Sequence, residues 1–269
     1  MIRSLAVIGV GNMAKAIIAG ITKSNVGVSV FYLHDKNLET YSSMQKNDAF
    51  VYCSDIKEAV EKADCVLLSV KPQNYPEVIE QIKLTNGYNN KLYISIGAGI
   101  TSQSVSSNLN GATVIRVLPN LPMTIGYGVS AICKNDSASV ADFEFVEAVF
   151  RSAGSTTVID ESEMNRIIGA LSSSPAYVFK FIDAICKGAS AQGLDGNELL
   201  LSVCDVIIGS AMLLKNCGET PSTMISKVAS KGGTTQRAID TFDEYNFDDI
   251  VAKAMIACTN RADELGKIN

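Results

Sequence analysis

The sequence predicts an α/β fold class, in which a doubly wound domain at residues 1–160 is followed by an all-α domain at residues 161–269. The first observation is that short apolar runs alternate with helical patterns over the first 160 residues. This alternation is typical of a parallel sheet that helices cover on both faces. The second is that strand-like runs nearly vanish after about Asp160, where long helical patterns take over.

Five strands and three helices are predicted in the first domain. Right-handed crossovers between parallel strands produce the doubly wound arrangement. The predicted strands are Leu5–Gly9, Val28–Leu33, Cys65–Val70, Lys91–Ile96 and Thr113–Leu118, and the predicted helices are Asn12–Lys23, Asp55–Lys62 and Asn74–Lys83.

One helix of the second domain is apolar on nearly every face. The predicted helices there are Tyr177–Gly188, Asn197–Asn216, Thr234–Tyr245 and Asp248–Leu265. A helix as uniformly apolar as Asn197–Asn216 is buried on all sides, which a domain of about 110 residues does not achieve easily alone. We therefore predict an intimate homodimer. The alternative is that this helix is the centre of a self-contained bundle.

Composition excludes several classes of protein. The formal charge of −5 offers no basic surface for nucleic acid, and 47% hydrophobic residues exclude a disordered chain. Seven cysteines without a C-x-x-C pair, and a single histidine, His34, indicate reduced thiols in the cytoplasm and no metal site. No secretory signal is expected, and serines interrupt the uncharged stretch Leu92–Ile115, so no membrane span is expected there.

A glycine-rich turn follows the first strand. Its sequence is Ile8-Gly9-Val10-Gly11-Asn12-Met13-Ala14, a G-x-G-x-x-A pattern between a strand and a helix. The first glycine permits the tight turn, the second lets the backbone approach a pyrophosphate, and Ala14 allows close helix packing. The pattern predicts a Rossmann-type domain that binds NADH or NADPH. The alternative is a turn that binds nothing or another nucleotide.

Two residues at the end of the second strand point to different cofactors. Asp35 lies 21 residues after Ala14, where an acidic residue accepts the ribose hydroxyls of NAD. Lys36 beside it can pair with the 2′-phosphate of NADP. The sequence leaves this choice open. The neighbouring His34 is interpreted as a solvated loop histidine.

Three further strand ends contribute candidate cofactor contacts. Lys71 either meets the cofactor or is a solvated lysine before Pro72, while Gly97 and Gly99 are expected to leave room for a flat ring. Asn120 either bonds a carboxamide or closes a turn. The candidate residues at these ends are Ser69, Val70, Lys71, Pro72, Gly97, Ala98, Gly99 and Asn120.

The second domain carries a candidate anion site. The loop Ser230-Lys231-Gly232-Gly233-Thr234-Thr235 precedes a helix, where free N–H groups and hydroxyls suit a carboxylate. The alternative is ordinary N-capping by threonine. Farther upstream, three serines precede Pro175, but the lone histidine excludes a Ser-His-Asp hydrolase. Tyr177 is a candidate proton donor or, alternatively, a packed tyrosine.

Taken together, these motifs resemble those of the pyrroline-5-carboxylate reductase family along nearly the whole chain. The resemblance rests mainly on residues 228–235, which are similar to the family signature V-x-S-P-G-G-T-T. The supporting stretches are Ser173–Phe179, Ala63–Asp64 with Ser69–Gln73, Arg116–Asn120, Gly154 and Glu161–Met164. Lys231 departs from the family's proline, Leu121 from a threonine, Ser172 from a glycine and Leu171 from a serine. Ile56 departs from an asparagine frequent near the cofactor ribose.

The resemblance implies the last step of proline synthesis, reduction of 1-pyrroline-5-carboxylate to L-proline with NADH or NADPH. It implies a helical dimerisation domain and higher oligomers of dimers. It places the cofactor at residues 8–13, 69–72 and 97–99, and the substrate at Val228, Ser230, Gly232, Gly233, Thr234 and Thr235. Two other functions stay open: a 3-hydroxyacid dehydrogenase with Lys180 as its catalytic lysine, and a dinucleotide-sensing protein without catalysis.

Overall fold

The protein is described by a computed structural model that covers residues 3–24, 26–41, 44 and 47–267. The strands are β1 (Arg3–Ile8), β2 (Val28–His34), β3 (Phe50–Tyr52), β4 (Cys65–Leu68), β5 (Leu92–Ser95), β6 (Thr113–Leu118), β7 (Gly128–Lys134) and β8 (Gly154–Val158). The helices are α1 (Asn12–Thr22), α2 (Ile56–Lys62), α3 (Tyr75–Ile82), α4 (Ser102–Asn108), α5 (Val140–Arg151), α6 (Met164–Ile167), α7 (Ser174–Ser190), α8 (Asn197–Cys217), α9 (Pro221–Val228), α10 (Thr234–Glu244) and α11 (Phe247–Gly266).

The strands form one sheet in the order β3-β2-β1-β4-β5-β6-β7-β8. The pairs from β3 to β6 are parallel, which confirms the doubly wound prediction. The sheet as a whole is mixed, because β7, a strand that the sequence did not predict, runs antiparallel to β6. Only residues 119–127 connect these two strands. A parallel crossover needs about a dozen residues or more, so this connection returns the chain in the opposite direction.

Three of the elements that the sequence did not predict, β3, β8 and α4, have weak apolar patterns. The strands β3 and β8 lie at the two edges of the sheet and are partly exposed, so they carry few core side chains. The helix α4 is rich in serine and is stabilised at its start by the hydroxyl of Thr101, which accepts a hydrogen bond from Ser104 N at 3.0 Å. Capping of this kind stabilises a short helix by about 1 kcal/mol.

The two faces of the sheet have separate cores. Leu5 and Val7 of β1 pack in a cluster with residues of α1 and α5. Ala6 and Ile8 point to the other face, where they pack with residues of α2, α3 and α4. Alternating side chains of one strand therefore enter both cores, as expected for a sheet that is covered on both faces.

A buried charge joins β6 to the helices that follow it. Arg116 is 1% exposed, and its guanidinium lies 3.3 Å from Glu161 Oε1 and donates to Asn165 Oδ1 at 2.6 Å. Asn165 in turn donates to Asp263 Oδ1 at 2.7 Å, and Glu161 accepts the amide hydrogen of Ser102 at 2.7 Å. These bonds attach α6 and the end of α11 to the carboxyl side of the sheet.

Glu161→Ala should destabilise the protein by about 2–4 kcal/mol, because it leaves a buried guanidinium without its counter-charge. Urea unfolding at a fixed protein concentration measures this change. The matched control is Glu80→Ala, which removes an exposed pair with Lys83 and should change stability by less than about 0.5 kcal/mol. Equal stabilities of the two variants would show that the buried pair is unimportant.

Two compact units divide the chain. The first unit consists of described residues within 1–175 and 256–269, and the second consists of residues 176–255. This division differs from the predicted boundary after residue 160. The reason is physical: the Arg116 hydrogen bonds and the packing of Gly99 against the backbone of Ala262 attach 161–175 and the end of α11 to the sheet.

The second unit leaves an apolar helix uncovered. Five side chains of α8 are more than half exposed: Leu201, Val206, Ile208, Met212 and Leu213. By length and composition alone, α8 could also cross a membrane. The interpretation of α8 as the centre of a self-contained bundle is wrong, because the other helices of this unit do not cover it. Apolar surface of this extent marks an interaction site.

Two cysteines of the sheet domain should react slowly. Burial raises the pKa of the Cys53 thiol to about 11 and that of Cys133 to about 12. Since the thiolate is the nucleophile, a raised pKa leaves little reactive form at pH 8. We expect iodoacetamide to label both thiols roughly 100-fold more slowly in the folded protein than in urea. Peptide mass spectrometry measures the rates, and equal rates in both states would contradict this expectation.

Candidate active site

The turn between β1 and α1 leaves space beside its backbone. Gly9 has a φ of +88°, and a Cβ added there would lie 2.8 Å from Val70 Cγ1, so the turn requires glycine. A Cβ added at Gly11 would meet nothing within 4 Å. Gly11 is the N-cap residue of α1, so no side chain caps the start of this helix. Its first amides are therefore free to face an anion, which fits the pyrophosphate of a dinucleotide.

A crevice of about 240 Å³ lies beside this turn. It is at the carboxyl ends of β1 and β4, where the strand order reverses, which is where ligands bind in doubly wound folds. The structure brings eight predicted cofactor residues together here: Ile8, Gly9, Gly11, Asp35, Lys36, Ser69, Val70 and Lys71. Four residues that were not predicted as contacts, His34, Ile56, Asn74 and Val78, also line it.

The carboxylate of Asp35 is fixed against the turn. One oxygen accepts the amide hydrogen of Val10 at 2.6 Å, and the other accepts that of Asn37 at 2.9 Å. The hydroxyl of Tyr41 accepts the amide hydrogen of Asp35 at 2.5 Å, and burial raises the pKa of this tyrosine. The carboxylate is thus held at the crevice in a defined orientation.

Lys36 has a partner that the sequence did not reveal. Its ammonium lies 2.8 and 2.7 Å from the two carboxylate oxygens of Glu77 in the first turn of α3. The two residues are 41 positions apart, and no local spacing rule connects them. Only the tertiary packing of α3 brings this acidic group to Lys36.

The end of β4 contributes a hydroxyl and a cation. Ser69 Oγ donates to Gly9 O at 2.5 Å and thereby attaches the end of β4 to the glycine turn. Lys71 is exposed at the crevice and makes no ion pair with any residue in the described ranges. Pro72 starts a short 3-10 helix, Pro72–Asn74. A phosphate contact and a solvated lysine both remain open for Lys71.

The room for a flat ring that was predicted at Gly97 and Gly99 does not lie on the side where a Cβ would point, because protein atoms fill that side. A Cβ added at Gly97 would lie 2.8 Å from the ring of Tyr75, and one at Gly99 would lie 2.2 Å from Ala262 O. Tyr75 Oη accepts the amide hydrogen of Gly97 at 3.0 Å and lies 3.0 Å from Ser95 Oγ. Burial raises the pKa of this tyrosine to about 12, so it stays protonated. The protein itself fills both spaces.

Asn120 closes the turn after β6. Its side-chain oxygen accepts the amide hydrogen of Val129 at 2.9 Å, and its nitrogen donates to Leu171 O at 3.1 Å. The side chain is buried. Of the two alternatives for Asn120, the structure has the turn-closing one. Together with Gly97, Ala98 and Gly99, it does not line the crevice described above.

In the second unit, the predicted anion loop connects α9 to α10. Gly233 is the N-cap residue of α10 and offers no side chain, so the interpretation of ordinary capping by threonine is wrong. Gly233 N donates to Ser230 O at 2.9 Å, and Gly232 has a φ of +76°. The first turn of α10 therefore has no side-chain cap. Thr235 is half-buried there, while Val228 and Lys231 are exposed.

The remaining candidates lie on α7. Tyr177 is half-buried in its first turn. Lys180 is 79% exposed and lies 3.8 Å from Asp183. A catalytic lysine needs desolvation or a partner that shifts its proton affinity, and Lys180 has an exposed ion pair instead. No cluster of three or more potential metal ligands occurs in the part of the chain that the structure describes.

Two family models match the chain. Residues 161–265 match the model described as pyrroline-5-carboxylate reductase dimerisation. Residues 4–99 match the one described as NADP oxidoreductase, coenzyme F420-dependent. The first match assigns the helical half to a homo-oligomeric interface, consistent with the uncovered side chains of α8.

Whole-length relatives agree with this assignment. The chain is 34% identical to a pyrroline-5-carboxylate reductase of Vibrio alginolyticus over 99% of this chain and 98% of that one. It is 32% identical to the Haemophilus influenzae protein of that name over 97% of each chain. The structure of 1-pyrroline-5-carboxylate reductase from Streptococcus pyogenes superimposes with a TM-score of 0.89 at 26% identity, over 97% and 98% of the two chains.

A solved structure from Plasmodium falciparum shares the fold. This pyrroline carboxylate reductase, with NADP bound, has a TM-score of 0.88 at 24% identity, and the match covers 98% of each chain. The likeness extends over both the sheet domain and the helices.

Proposed function

The chain belongs to the pyrroline-5-carboxylate reductase family, and from this premise we propose that it reduces the C=N bond of 1-pyrroline-5-carboxylate to L-proline with NADH or NADPH. The observation that carries the proposal is that the N-cap residues of both α1 and α10 are glycines, so no side chain caps the start of either helix. Two uncapped helix starts suit two anions, the cofactor pyrophosphate and the substrate carboxylate.

The proposed cofactor contacts come from the strand ends. The amides of Gly11, Asn12 and Met13 face the phosphates, with Ala14 packed behind them, and Lys71 adds a positive charge to the same crevice. The backbone of residues 69–72 completes this part of the site, and the backbone of residues 97–99, which lies outside the crevice, is proposed to contact the remainder of the dinucleotide. Asn120 has no part in it, because its side chain closes a turn.

The proposed substrate contacts come from the loop before α10. Amides and hydroxyls of Gly233, Thr234 and Thr235 hold the carboxylate. The residues Val228, Ser230 and Gly232 form the rest of the proposed substrate site. A bound reduced nicotinamide supplies the hydride. The protein's task is to position the ring and exclude water, which accounts for much of the rate in reactions of this type. No side chain is needed as proton donor when the imine arrives protonated, and Tyr177 is not assigned this role.

The absorbance of NADH or NADPH, followed with purified protein and 1-pyrroline-5-carboxylate, tests the proposed reaction. Oxidation that depends on the imine supports it. Oxidation absent with this imine, together with activity on 3-hydroxy acids, would overturn it in favour of the dehydrogenase. Binding of dinucleotide without any turnover would favour the sensing protein.

The proposed assembly is a homodimer in the cytoplasm, which associates further into oligomers of dimers. The exposed side chains of α8 are the proposed contact surface. Burying such apolar area on a partner contributes about 25 cal/mol for each Å², from which the entropy lost on association is subtracted. We propose that a second copy of the chain, and not a membrane, covers α8, because this helix lies in the region that matches the dimerisation model.

Leu213→Asp should convert the oligomer to smaller species, because a carboxylate in an apolar interface loses its hydration. Light scattering coupled to gel filtration measures the mass. Leu84→Asp is the matched control, since Leu84 is exposed on the sheet domain, outside the dimerisation region, and its replacement should leave the mass unchanged. An unchanged mass for Leu213→Asp would remove α8 from the proposed interface.

A further inference from the structure

The end of β2 determines how a dinucleotide's adenosine ribose is received in doubly wound folds. An acidic residue there accepts the ribose hydroxyls of NAD, and a nearby cation accommodates the 2′-phosphate of NADP. This chain has both, Asp35 and Lys36, side by side in the crevice wall. Their effects oppose each other, so a third residue can decide the balance.

Glu77 is placed to be that third residue. Both of its carboxylate oxygens lie within hydrogen-bond distance of the Lys36 ammonium, at 2.8 and 2.7 Å. Glu77 also accepts a bond from Gln81 at 3.3 Å, which holds the carboxylate on the surface of α3. A lysine held in this way has its charge offset by the carboxylate and two of its three N–H donors engaged.

The charges near the ribose end of the crevice therefore sum in favour of a neutral ribose. Asp35 and Glu77 contribute two negative charges and Lys36 contributes one positive charge. Lys71 also lines the crevice, at the end of β4, where the proposed contact is the pyrophosphate that both cofactors share. A 2′-phosphate, by contrast, would enter beside a net negative charge.

We propose that Glu77 is a cofactor-selectivity residue, which holds Lys36 in an ion pair and thereby weakens NADPH relative to NADH. This inference rests on the proposed function, because it assumes that the crevice receives a reduced nicotinamide dinucleotide. The size of the effect is limited by exposure, since Lys36 and Glu77 are 61% and 54% exposed. Exposed ion pairs are worth less than about 1 kcal/mol, so the expected change in affinity is roughly two- to fivefold.

The test is a fluorescence titration of NADH and NADPH against purified full-length variants. Glu77→Gln should tighten NADPH binding roughly two- to fivefold, while the Kd for NADH stays within about 1.5-fold. The gain should shrink at high salt. Glu80→Gln is the matched control, because it removes the same charge from α3 but breaks only the Glu80–Lys83 pair. It should leave the ratio of the two Kd values unchanged.

The double variant decides whether Glu77 acts through Lys36. In a Lys36→Gln background, Glu77→Gln should change NADPH binding by less than about twofold, because there is no lysine to release. The proposal is overturned if Glu77→Gln leaves the NADPH-to-NADH ratio unchanged, or if the gain is the same without Lys36. Failure of the proposed function looks different: neither dinucleotide binds the wild-type protein, or both bind and no imine is reduced.

Discussion

Thr235→Ala is expected to raise the KM for 1-pyrroline-5-carboxylate roughly 10- to 100-fold while the Kd for the reduced dinucleotide stays unchanged. A hydrogen bond to a charged group is worth about 1.5–3 kcal/mol, which corresponds to that range. Thr235 is half-buried in the first turn of α10, where no side chain caps the helix. Its hydroxyl is therefore available to an anion that docks on this turn. Initial rates at varied imine and saturating cofactor measure the KM.

Two further variants separate binding from helix stability. Thr235→Ser keeps the hydroxyl and should stay within about threefold of the wild-type KM. Thr241→Ala removes a hydroxyl that bonds Arg237 O within the same helix, so it should affect helix stability and leave the KM alone. A wild-type KM for Thr235→Ala, or a raised KM for Thr241→Ala, would show that the carboxylate is held elsewhere.

Gly11→Val is expected to weaken dinucleotide binding at least about 100-fold without unfolding the protein. The backbone at Gly11 has an ordinary φ of −75°, and a Cβ there would meet open space. Stability should therefore fall by only about 1 kcal/mol, the cost of placing valine at the N-cap position of α1. The same open space is where the pyrophosphate must approach the backbone, so the valine side chain would occupy it.

Gly9→Val is the informative comparison for this prediction. Its φ of +88° and the nearby Val70 side chain make any side chain strained, at about 1–3 kcal/mol or more. Calorimetry measures the melting temperatures of both variants, and it should thus separate a binding defect at Gly11 from a folding defect at Gly9. Wild-type affinity of Gly11→Val for both dinucleotides would mean that the turn does not receive the pyrophosphate.

The parts of the fold that follow from local pattern were predictable from the sequence. The strands β1, β2, β4, β5 and β6 are buried apolar runs, and the glycine turn after β1 lies where the spacing predicted it. The antiparallel strand β7 was not predicted, because its direction depends on the length of the connection from β6 and not on its own residues.

The site shows the same division between local and long-range information. Asp35 and Lys36 were identified from their distance to the turn, but their actual partners, Val10 and Glu77, depend on tertiary packing. Glycines 97 and 99 were read as open space for a ligand. In the structure Tyr75 fills the space at Gly97, and α11, from the far end of the chain, fills that at Gly99. Sequence shows that a side chain is absent but not what fills its place.

The apolar helix α8 was predicted correctly as a helix, and its composition indicated that something must cover it. The single chain does not provide that cover, since six of the helix's ten large aliphatic and methionine side chains are exposed. The match of residues 161–265 to a dimerisation model supports the proposal that another copy of the chain supplies this burial.

Transfer of deuterium from C4-deuterated reduced nicotinamide dinucleotide to proline tests the proposed reaction most directly. The protein is incubated with 1-pyrroline-5-carboxylate and a cofactor in which both hydrogens at C4 are deuterium, so that either face transfers the label, and the product is analysed by mass spectrometry and chiral chromatography. Proposed hydride transfer to the imine carbon predicts L-proline with one deuterium at C5. No proline from a folded protein that binds the dinucleotide, or proline without deuterium, would contradict the assignment of this chain as the reductase.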